Sequence, residues 1–396
     1  VGQIGGLGRS ARRARLAALS LADDDGGMHE PASVARAASL CREWFADTIV
    51  DIAPLASSGF SGGRVFLISG PVVEACVLKS FHAAASRQQA AWVHRLAGHL
   101  RAEGIVQVPE VIAARDGDTI VADADGALWE MCRFMPGVAV TRPDSRQSAA
   151  VGETLARLHL AAARLPGAEP RRAPSPGIQR RVDQARRLLA EPWEARRAAW
   201  PDAPAHRTVA DADVLAAVGT RFTAAIRLFA AADGQRAIDR LARMDVPSVP
   251  IQPVLRDVWS DHVLLAGPAA ADVTGIIDLH AAGIDTPATD IARLLGSWEA
   301  SGDSVNLSPA ERHPAALEAY ERTRPLDAGD RRLIGFLHAT AVICGLDNWF
   351  RWTLEERRRF PAAQRVLDRI DRLMRELQPA LAVTAAAVSD RAGNVD

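Results

Sequence analysis

The sequence is almost without lysine. Lys79 is the only one, so 46 of the 47 basic residues are arginine. An alanine- and arginine-rich, lysine-poor composition is what a GC-rich genome produces, and such a bias replaces lysine wherever a guanidinium serves equally well. The surviving ammonium suggests a site where a compact point charge matters and a planar fork does not fit. Tyrosine is equally scarce, with Tyr320 alone, and aromatic residues make up only 5% of the chain, so alanine, leucine and valine must supply most of the core. The four cysteines, Cys41, Cys76, Cys132 and Cys344, lie far apart with no Cys-x-x-Cys spacing. That argues against a disulfide framework or a structural zinc site and makes a reducing cytoplasm the default compartment. No apolar run reaches the roughly 20 residues that span a bilayer, so no membrane association is expected. Neither sign of charge dominates: 47 basic and 48 acidic residues leave a net charge of −1, which argues against a general nucleic-acid binder.

What is present divides the chain. Its 396 residues suit two to three domains or one large bilobal unit. Residues 1–38 read as a disordered extension, with a glycine-rich start, arginines between Arg9 and Arg15, and the run Asp23-Asp24-Asp25. Met28 is the first methionine, so either the chain starts there or the segment before it is part of that extension. Residues 39–135 are mostly strand-like, with short β-rich runs separated by Ser/Gly clusters and one helical pattern over 86–103. After the break at Pro136-Gly137, residues 136–380 are mainly helical, interrupted by a β-rich stretch at 251–280 that predicts a hairpin. Residues 381–396 read as a disordered tail. The layout is α+β: a strand-rich unit, then a helix-rich one, with a cleft expected between them.

Three features carry chemistry. The segment Ser57-Ser58-Gly59-Phe60-Ser61-Gly62-Gly63-Arg64 lies between two strands, and its glycines let backbone N–H groups approach phosphates. Lys79 follows one strand later, the arrangement in which protein kinases hold ATP phosphates. Further on, Asp257 could take a proton from a substrate hydroxyl, Asp261 or His262 could hold a metal ion, and Asp278 ends the next apolar strand. Two acidic groups on adjacent hairpin strands would converge on one site. Trp349 and Trp352 could hold a cation on their faces, although packing between helices is the commoner role for such residues.

On these residues the chain resembles the aminoglycoside phosphotransferase and choline-kinase-like family over roughly 45–355. Asp257 stands where the family pattern His-Gly-Asp-x-x-x-x-Asn-Val-Leu has its catalytic aspartate. Asp278 stands at the metal-binding aspartate of the following Ile-Asp pattern, and Lys79 at the phosphate-binding strand lysine. Leu155-Ala156-Arg157-Leu158-His159 is similar to the helix before the catalytic loop. Phe134-Met135-Pro136-Gly137 is similar to the end of the interlobe hinge, and Asp290 to the aspartate that braces the catalytic loop. The resemblance implies a bilobal protein-kinase-like fold, with a small antiparallel N-lobe sheet and a larger helical C-lobe containing a catalytic β-hairpin. It implies an ATP-dependent phosphotransferase, with GTP as a possible donor and Mg²⁺ or Mn²⁺ as the ion, acting on a hydroxyl of a small molecule. Asp257 would be the base, with Lys79 on the α/β-phosphates. Ser61, Gly62 and Gly63 would cover the phosphates, Arg133 and Met135 would meet the adenine through the backbone, and Asp278 with Asp261 or His262 would hold the metal. No protein partner is implied.

The chain also departs from the pattern. Leu255 and Arg256 replace the histidine and glycine before the catalytic aspartate, and His262 replaces the asparagine. Imidazole is a softer ligand than Mg²⁺ prefers. Gln88 is the residue best placed to replace the helix glutamate that pairs with the lysine. These changes motivate an alternative reading, a nucleotide-binding protein with little or no turnover.

Overall fold

The computed structural model describes residues 31–55, 63–198, 209–299, 307–358, 360 and 363–386. The chain divides into two compact units, residues 1–168 with 257–283, and residues 169–256 with 284–396.

The first unit opens with helix α1 (Pro31–Phe45). It begins inside the stretch 1–38 that reads as disordered; residues 1–30 lie outside the described residues. The helix forms because Ala37, Leu40, Cys41 and Trp44 recur at helical spacing and bury one face against a sheet. That sheet is antiparallel, in the order β1-β2-β3-β5-β4. Its strands are β1 (Asp51–Pro54), β2 (Val65–Ser69), β3 (Cys76–Ser80), β4 (Val121–Ala122) and β5 (Leu128–Arg133). In β3 the alternation turns Cys76, Leu78 and Ser80 into the core and leaves Val77 and Lys79 on the opposite, half-buried face. Between β3 and β4 runs helix α2 (Arg87–Ala102), capped by the Ser86 side chain on the Gln89 amide.

Beyond β5 the chain crosses Pro136-Gly137 into β6 (Val138–Ala139) and then helix α3 (Ser145–Ala162), which starts in a reciprocal capping box between Asp144 and Gln147. Gly137 has φ of 147°, and a Cβ there would sit 2.4 Å from Thr274 Oγ1 and 2.8 Å from the Leu265 carbonyl oxygen. Only glycine fits so close to that backbone. Gly137→Ala is therefore expected to cost about 2 kcal/mol or more, measured as a shift of the urea midpoint.

The second unit takes over at Glu169. Strands β7 (Arg171–Pro174) and β8 (Ser248–Val254) pair antiparallel. Between them lie helices α4 (Pro176–Ala190), α5 (Trp193–Ala198), α6 (Val209–Ala230) and α7 (Ala232–Arg243). The chain then returns to the first unit for the hairpin β9 (Val263–Leu265) and β10 (Val273–Ile276), where β6 adds to β9 as a third strand. The Gln147 amide of α3 donates to the carbonyls of Pro268 and Ala270 and so holds the hairpin turn. β11 (Gly283–Asp285) leads back to the second unit, which is completed by α8 (Ala288–Ser297), α9 (Pro309–Arg312), α10 (Pro314–Thr323), α11 (Ala328–Phe350) and α12 (Ala363–Ala386). α12 runs through residues 381–386, part of the stretch expected to be a disordered tail; 387–396 lie outside the described residues.

α11 and its continuation over Ala328–Glu355 are long and apolar enough to cross a membrane, but 61% of the apolar stretch is buried inside the protein, as in a core helix. Trp349 and Trp352 meet edge to face at 5.3 Å, and the Arg358 guanidinium lies 5.2 Å from the centre of the Trp352 ring. That ring already holds a cation from its own chain.

A buried acid braces the helices. Glu376 on α12 accepts from Arg312 at 3.2 Å and lies 3.0 Å from His338 Nε2. Burial raises its pKa, but His338, Arg312 and Arg372 outweigh that and hold the carboxyl at about 2. Because the folded pKa lies below the ordinary value, the stabilisation is complete above pH 4.5 and is lost as pH falls toward 2. Glu376→Gln is expected to lower stability by about 3 kcal/mol at pH 7. The gap to the unsubstituted protein should close below pH 4.5, as read from denaturant melts across that range.

Candidate active site

Of the residues singled out in the sequence, Lys79 and Asp278 meet within the first unit, with His262 and Asp261 beside them. The β2–β3 register sets Lys79 opposite Val65, the third residue after Gly62, and on the other side β5 sets it opposite Glu130. Ser61 and Gly62 lie outside the described residues. Gly63 is the first residue described after the loop, half-buried, and the next amide, Arg64 N–H, donates to Ser80 Oγ at 2.8 Å.

Lys79 Nζ donates to Asp278 Oδ1 at 2.5 Å. Asp278 follows β10 in the left-handed conformation, φ 62° and ψ 61°. Aspartate tolerates this region better than most residues, and such backbone outliers gather where geometry serves function. Burial raises the Asp278 pKa, but Lys79 foremost and then His262 more than offset it, so the carboxyl lies below its ordinary value and is ionised.

His262 lies between Asp257 and Asp278 and is bonded to the first. Its Nδ1 lies 2.8 Å from the Asp257 carbonyl oxygen. A carbonyl only accepts, so Nδ1 carries the proton, and in the neutral ring Nε2 presents a lone pair. Nε2 faces Asp278 Oδ2 at 3.9 Å and Asp261 Oδ1 at 4.0 Å. The Asp257 carboxylate is oriented by Trp259, whose Nε1–H donates to Oδ1 at 2.7 Å. Just upstream, in the second unit, Asp290 accepts from the amides of Leu255 at 2.7 Å and Arg256 at 2.6 Å. This fixes the backbone entering the loop and holds Arg256 at φ 67°.

Among the described residues no three His, Cys, Asp or Glu side chains form a ready metal cage. The donors still suit an ion of the kinase type, which is held by one or two carboxylates together with substrate phosphates. Asp278 and Asp261 supply hard oxygens, and the gaps of 3.9 and 4.0 Å separate His262 Nε2 from each of them.

Gln88 does not meet Lys79. It is exposed on α2, and Lys79 is paired by Asp278 instead. One residue on, a rotation of about 100°, Gln89 Nε2 donates to the Ala282 carbonyl at 2.9 Å and ties the helix to the segment after Asp278. Of the two hinge residues, Arg133 has its amide committed to the Glu110 carbonyl at 2.8 Å and its guanidinium paired with Glu74 at 2.6 Å. Met135, packed beside Gly275, has an amide without a hydrogen-bond partner among the described residues.

Sequence reasoning missed the support behind Lys79. Glu130 is buried on β5 and takes His94 Nε2 on one oxygen and His280 Nε2 on the other, both at 2.6 Å. Burial raises its pKa, but His280 and His94 drive it well below the ordinary carboxylate value. Phe81 stacks on the His280 ring at 4.1 Å. His280 lies two residues after Asp278, so this clamp fixes the segment that presents it. The available signal was a lone acid inside the apolar run Leu128–Arg133.

A family model described as phosphotransferase enzyme family matches residues 52–326. Similar proteins include the homoserine kinase of Cupriavidus necator, 27% identical over 261 residues, which cover 64% of this chain and 66% of that protein. The homoserine kinase of Rhodopseudomonas palustris is 29% identical over 246 residues, 62% of this chain and 63% of that one. The chain thus spans slightly less than two thirds of the length of these relatives. Among solved structures, a spectinomycin phosphotransferase in complex with ADP and spectinomycin matches with a TM-score of 0.59 at 9% identity, covering 90% of this chain and 99% of that one. An amicoumacin kinase in complex with AMP-PNP and Ca²⁺ matches with a TM-score of 0.54 at 13% identity, covering 89% and 95%. At these identities the likeness shows the fold, α+β and protein-kinase-like.

Proposed function

Because the chain belongs to the phosphotransferase enzyme family, we propose that it transfers the γ-phosphoryl group of ATP to a hydroxyl of a small molecule. The observation that carries this reading is the pairing of the only lysine of the chain with Asp278 at 2.5 Å, beside a loop in which His262 bonds the Asp257 carbonyl and faces Asp278 at 3.9 Å. Such a reaction asks little covalent work of the protein; positioning and charge neutralisation do most of it.

In this mechanism Lys79 orients the α/β-phosphates, and Ser61, Gly62 and Gly63 would cover them. Met135 offers its amide to the base. Asp257, turned by Trp259, accepts the proton of the attacking hydroxyl. A divalent ion, Mg²⁺ or Mn²⁺, would be held by Asp278 with Asp261 or His262, and would neutralise phosphate charge. An imidazole nitrogen beside two carboxylates favours Mn²⁺ over Mg²⁺. The names of the sequence relatives make homoserine the first acceptor to assay. The reading carries a cytoplasmic location, supported by four unpaired cysteines. The test is phosphate transfer from labelled ATP to a panel of small alcohols with each ion. Transfer to at least one is expected; nucleotide binding with transfer to none would favour the non-catalytic alternative.

A further inference from the structure

Helix α2 carries no carboxylate along Arg87–Ala102, so it has no acid to offer Lys79. It is tied instead to the segment that follows Asp278, at two points. Near its start, Gln89 Nε2 donates to the Ala282 carbonyl at 2.9 Å. Further along, His94 reaches the same segment through Glu130 of β5. His94 Nε2 stands 2.6 Å from Glu130 Oε2, and His280 Nε2 stands 2.6 Å from Oε1. A carboxylate only accepts, so both Nε2 atoms carry protons. In the neutral ring, His94 Nδ1 then accepts from the Thr119 hydroxyl at 2.8 Å. Glu130 and His94 are buried, and Phe81 stacks on the His280 ring with the two planes 17° apart. All of these residues belong to the first unit.

The two ties matter because of the backbone at Asp278. Its left-handed conformation, φ 62° and ψ 61°, is one that persists only where neighbouring contacts hold it. Before it, the Ile277 amide donates to the His262 carbonyl at 2.9 Å. After it, the chain makes one short turn over Leu279–Ala281, held by the His280 side chain and by the Ala282 carbonyl. Releasing these would let Asp278 relax and swing its carboxylate away from Lys79. The far end of α2 is anchored independently. His99 Nε2 donates to the Ala161 carbonyl of α3 at 3.0 Å, and Glu103, just past α2, accepts from Arg164 Nε at 2.8 Å. One end of the helix is thus held to α3 while the other braces Asp278.

We infer that Gln89, His94, Glu130 and His280 are positioning residues for the divalent ion: they couple helix α2 to Asp278 and hold its carboxylate in the geometry that takes the ion. This rests on the kinase reading, in which Asp278 binds that ion. Groups that orient a metal-binding carboxylate act on metal affinity far more than on the rest of the ligand. The clamp should therefore govern the ion and leave the nucleotide nearly untouched.

Four variants of the full chain separate positioning from simple stabilisation. His280→Leu removes the bond to Glu130 and keeps an apolar contact with Phe81, whereas His280→Gln restores an N–H of similar reach. Gln89→Met removes the tie to Ala282 at an exposed position, so it is expected to fold normally and decides the matter if His280→Leu does not fold. Arg164→Gln loosens the far end of α2 and is the control. The probes are AMP-PNP and Mn²⁺. Mn²⁺ bound to the complex with AMP-PNP is read by electron paramagnetic resonance, and AMP-PNP without an ion by calorimetry, with Tm alongside. His280→Leu is expected to weaken Mn²⁺ binding about ten- to a hundredfold and Gln89→Met about tenfold, with ion-free AMP-PNP affinity moving less than about twofold. His280→Gln is expected to recover most of the loss. Arg164→Gln is expected to leave Mn²⁺ affinity unchanged, whatever it does to Tm. An unchanged Mn²⁺ affinity in Gln89→Met would overturn the inference. So would an equal loss in Arg164→Gln, or a loss that falls as heavily on ion-free AMP-PNP. Mn²⁺ binding that persists in every variant leaves the kinase reading standing and removes this one. No Mn²⁺ bound by the wild-type complex removes both. Clamp-dependent Mn²⁺ binding with phosphate transfer to no alcohol keeps this inference and removes the kinase reading.

Discussion

Replacing Asp257 by asparagine is expected to lower kcat by about a hundred- to ten-thousandfold while leaving the affinity for ATP within about twofold. Asparagine retains an oxygen that can accept from Trp259, whose Nε1–H lies 2.7 Å from Asp257 Oδ1 in the protein as it stands. The contact that joins Asp257 to His262 uses the backbone carbonyl, which the substitution does not touch. The brace from Asp290 acts on the two preceding amides and also survives. What disappears is the anionic charge and the capacity to accept the proton of the attacking hydroxyl. Steady-state kinetics on the best acceptor, paired with a nucleotide titration, separates the two effects. A fall in kcat smaller than about tenfold would remove Asp257 from the role of base. A parallel loss of nucleotide affinity would show that the substitution had disturbed Asp278 through His262.

The residues of the candidate site were legible for different reasons. Lys79 stood out because a strong compositional bias had removed every other lysine. Asp257 and Asp278 were legible because each ends or adjoins a short apolar strand, and because their order behind Lys79 matched a family pattern. The strands of the sheet and helices α2 and α3 followed from periodicity that tertiary packing reinforces. The helix at Pro31–Phe45 was masked by the glycine, arginine and aspartate runs before it, although Leu40, Cys41 and Trp44 already had helical spacing. The pairing expected of Gln88 was not legible because a one-residue shift along a helix rotates a side chain by about 100°. The clamp on Glu130 was illegible in principle: its two histidines lie 36 and 150 residues away. The same holds for the buried hydrogen bond between Asp285 and Ser175, separated by 110 residues. Arg256 stands where the family pattern has glycine, and its φ of 67° is a conformation that glycine adopts freely.

The second large effect is expected at the Lys79–Asp278 pair. The two charges neutralise each other at 2.5 Å, and each has a different partner in the proposed reaction. Lys79 must turn to phosphate oxygens, and Asp278 to a divalent ion. Asp278→Asn keeps the shape and the tolerance for φ 62°, so the fold is expected to survive while ion binding does not. With the wild type, ATP and its ion at about 100 times Kd should add roughly 2.7 kcal/mol to stability, a clear rise in Tm. In Asp278→Asn the ion-dependent part of that rise is expected to vanish. Lys79→Arg keeps the charge and can still pair with Asp278, yet the planar fork cannot replace a compact ammonium beside the phosphates. Activity should fall about a hundred- to a thousandfold, with Tm in the absence of nucleotide nearly unchanged. Full activity in Lys79→Arg would mean that the lone lysine survived the arginine bias by chance, and the phosphate role would pass to the glycine loop alone. An undiminished ion-dependent shift in Asp278→Asn would place the ion elsewhere, with Asp261 and His262 the nearest donors.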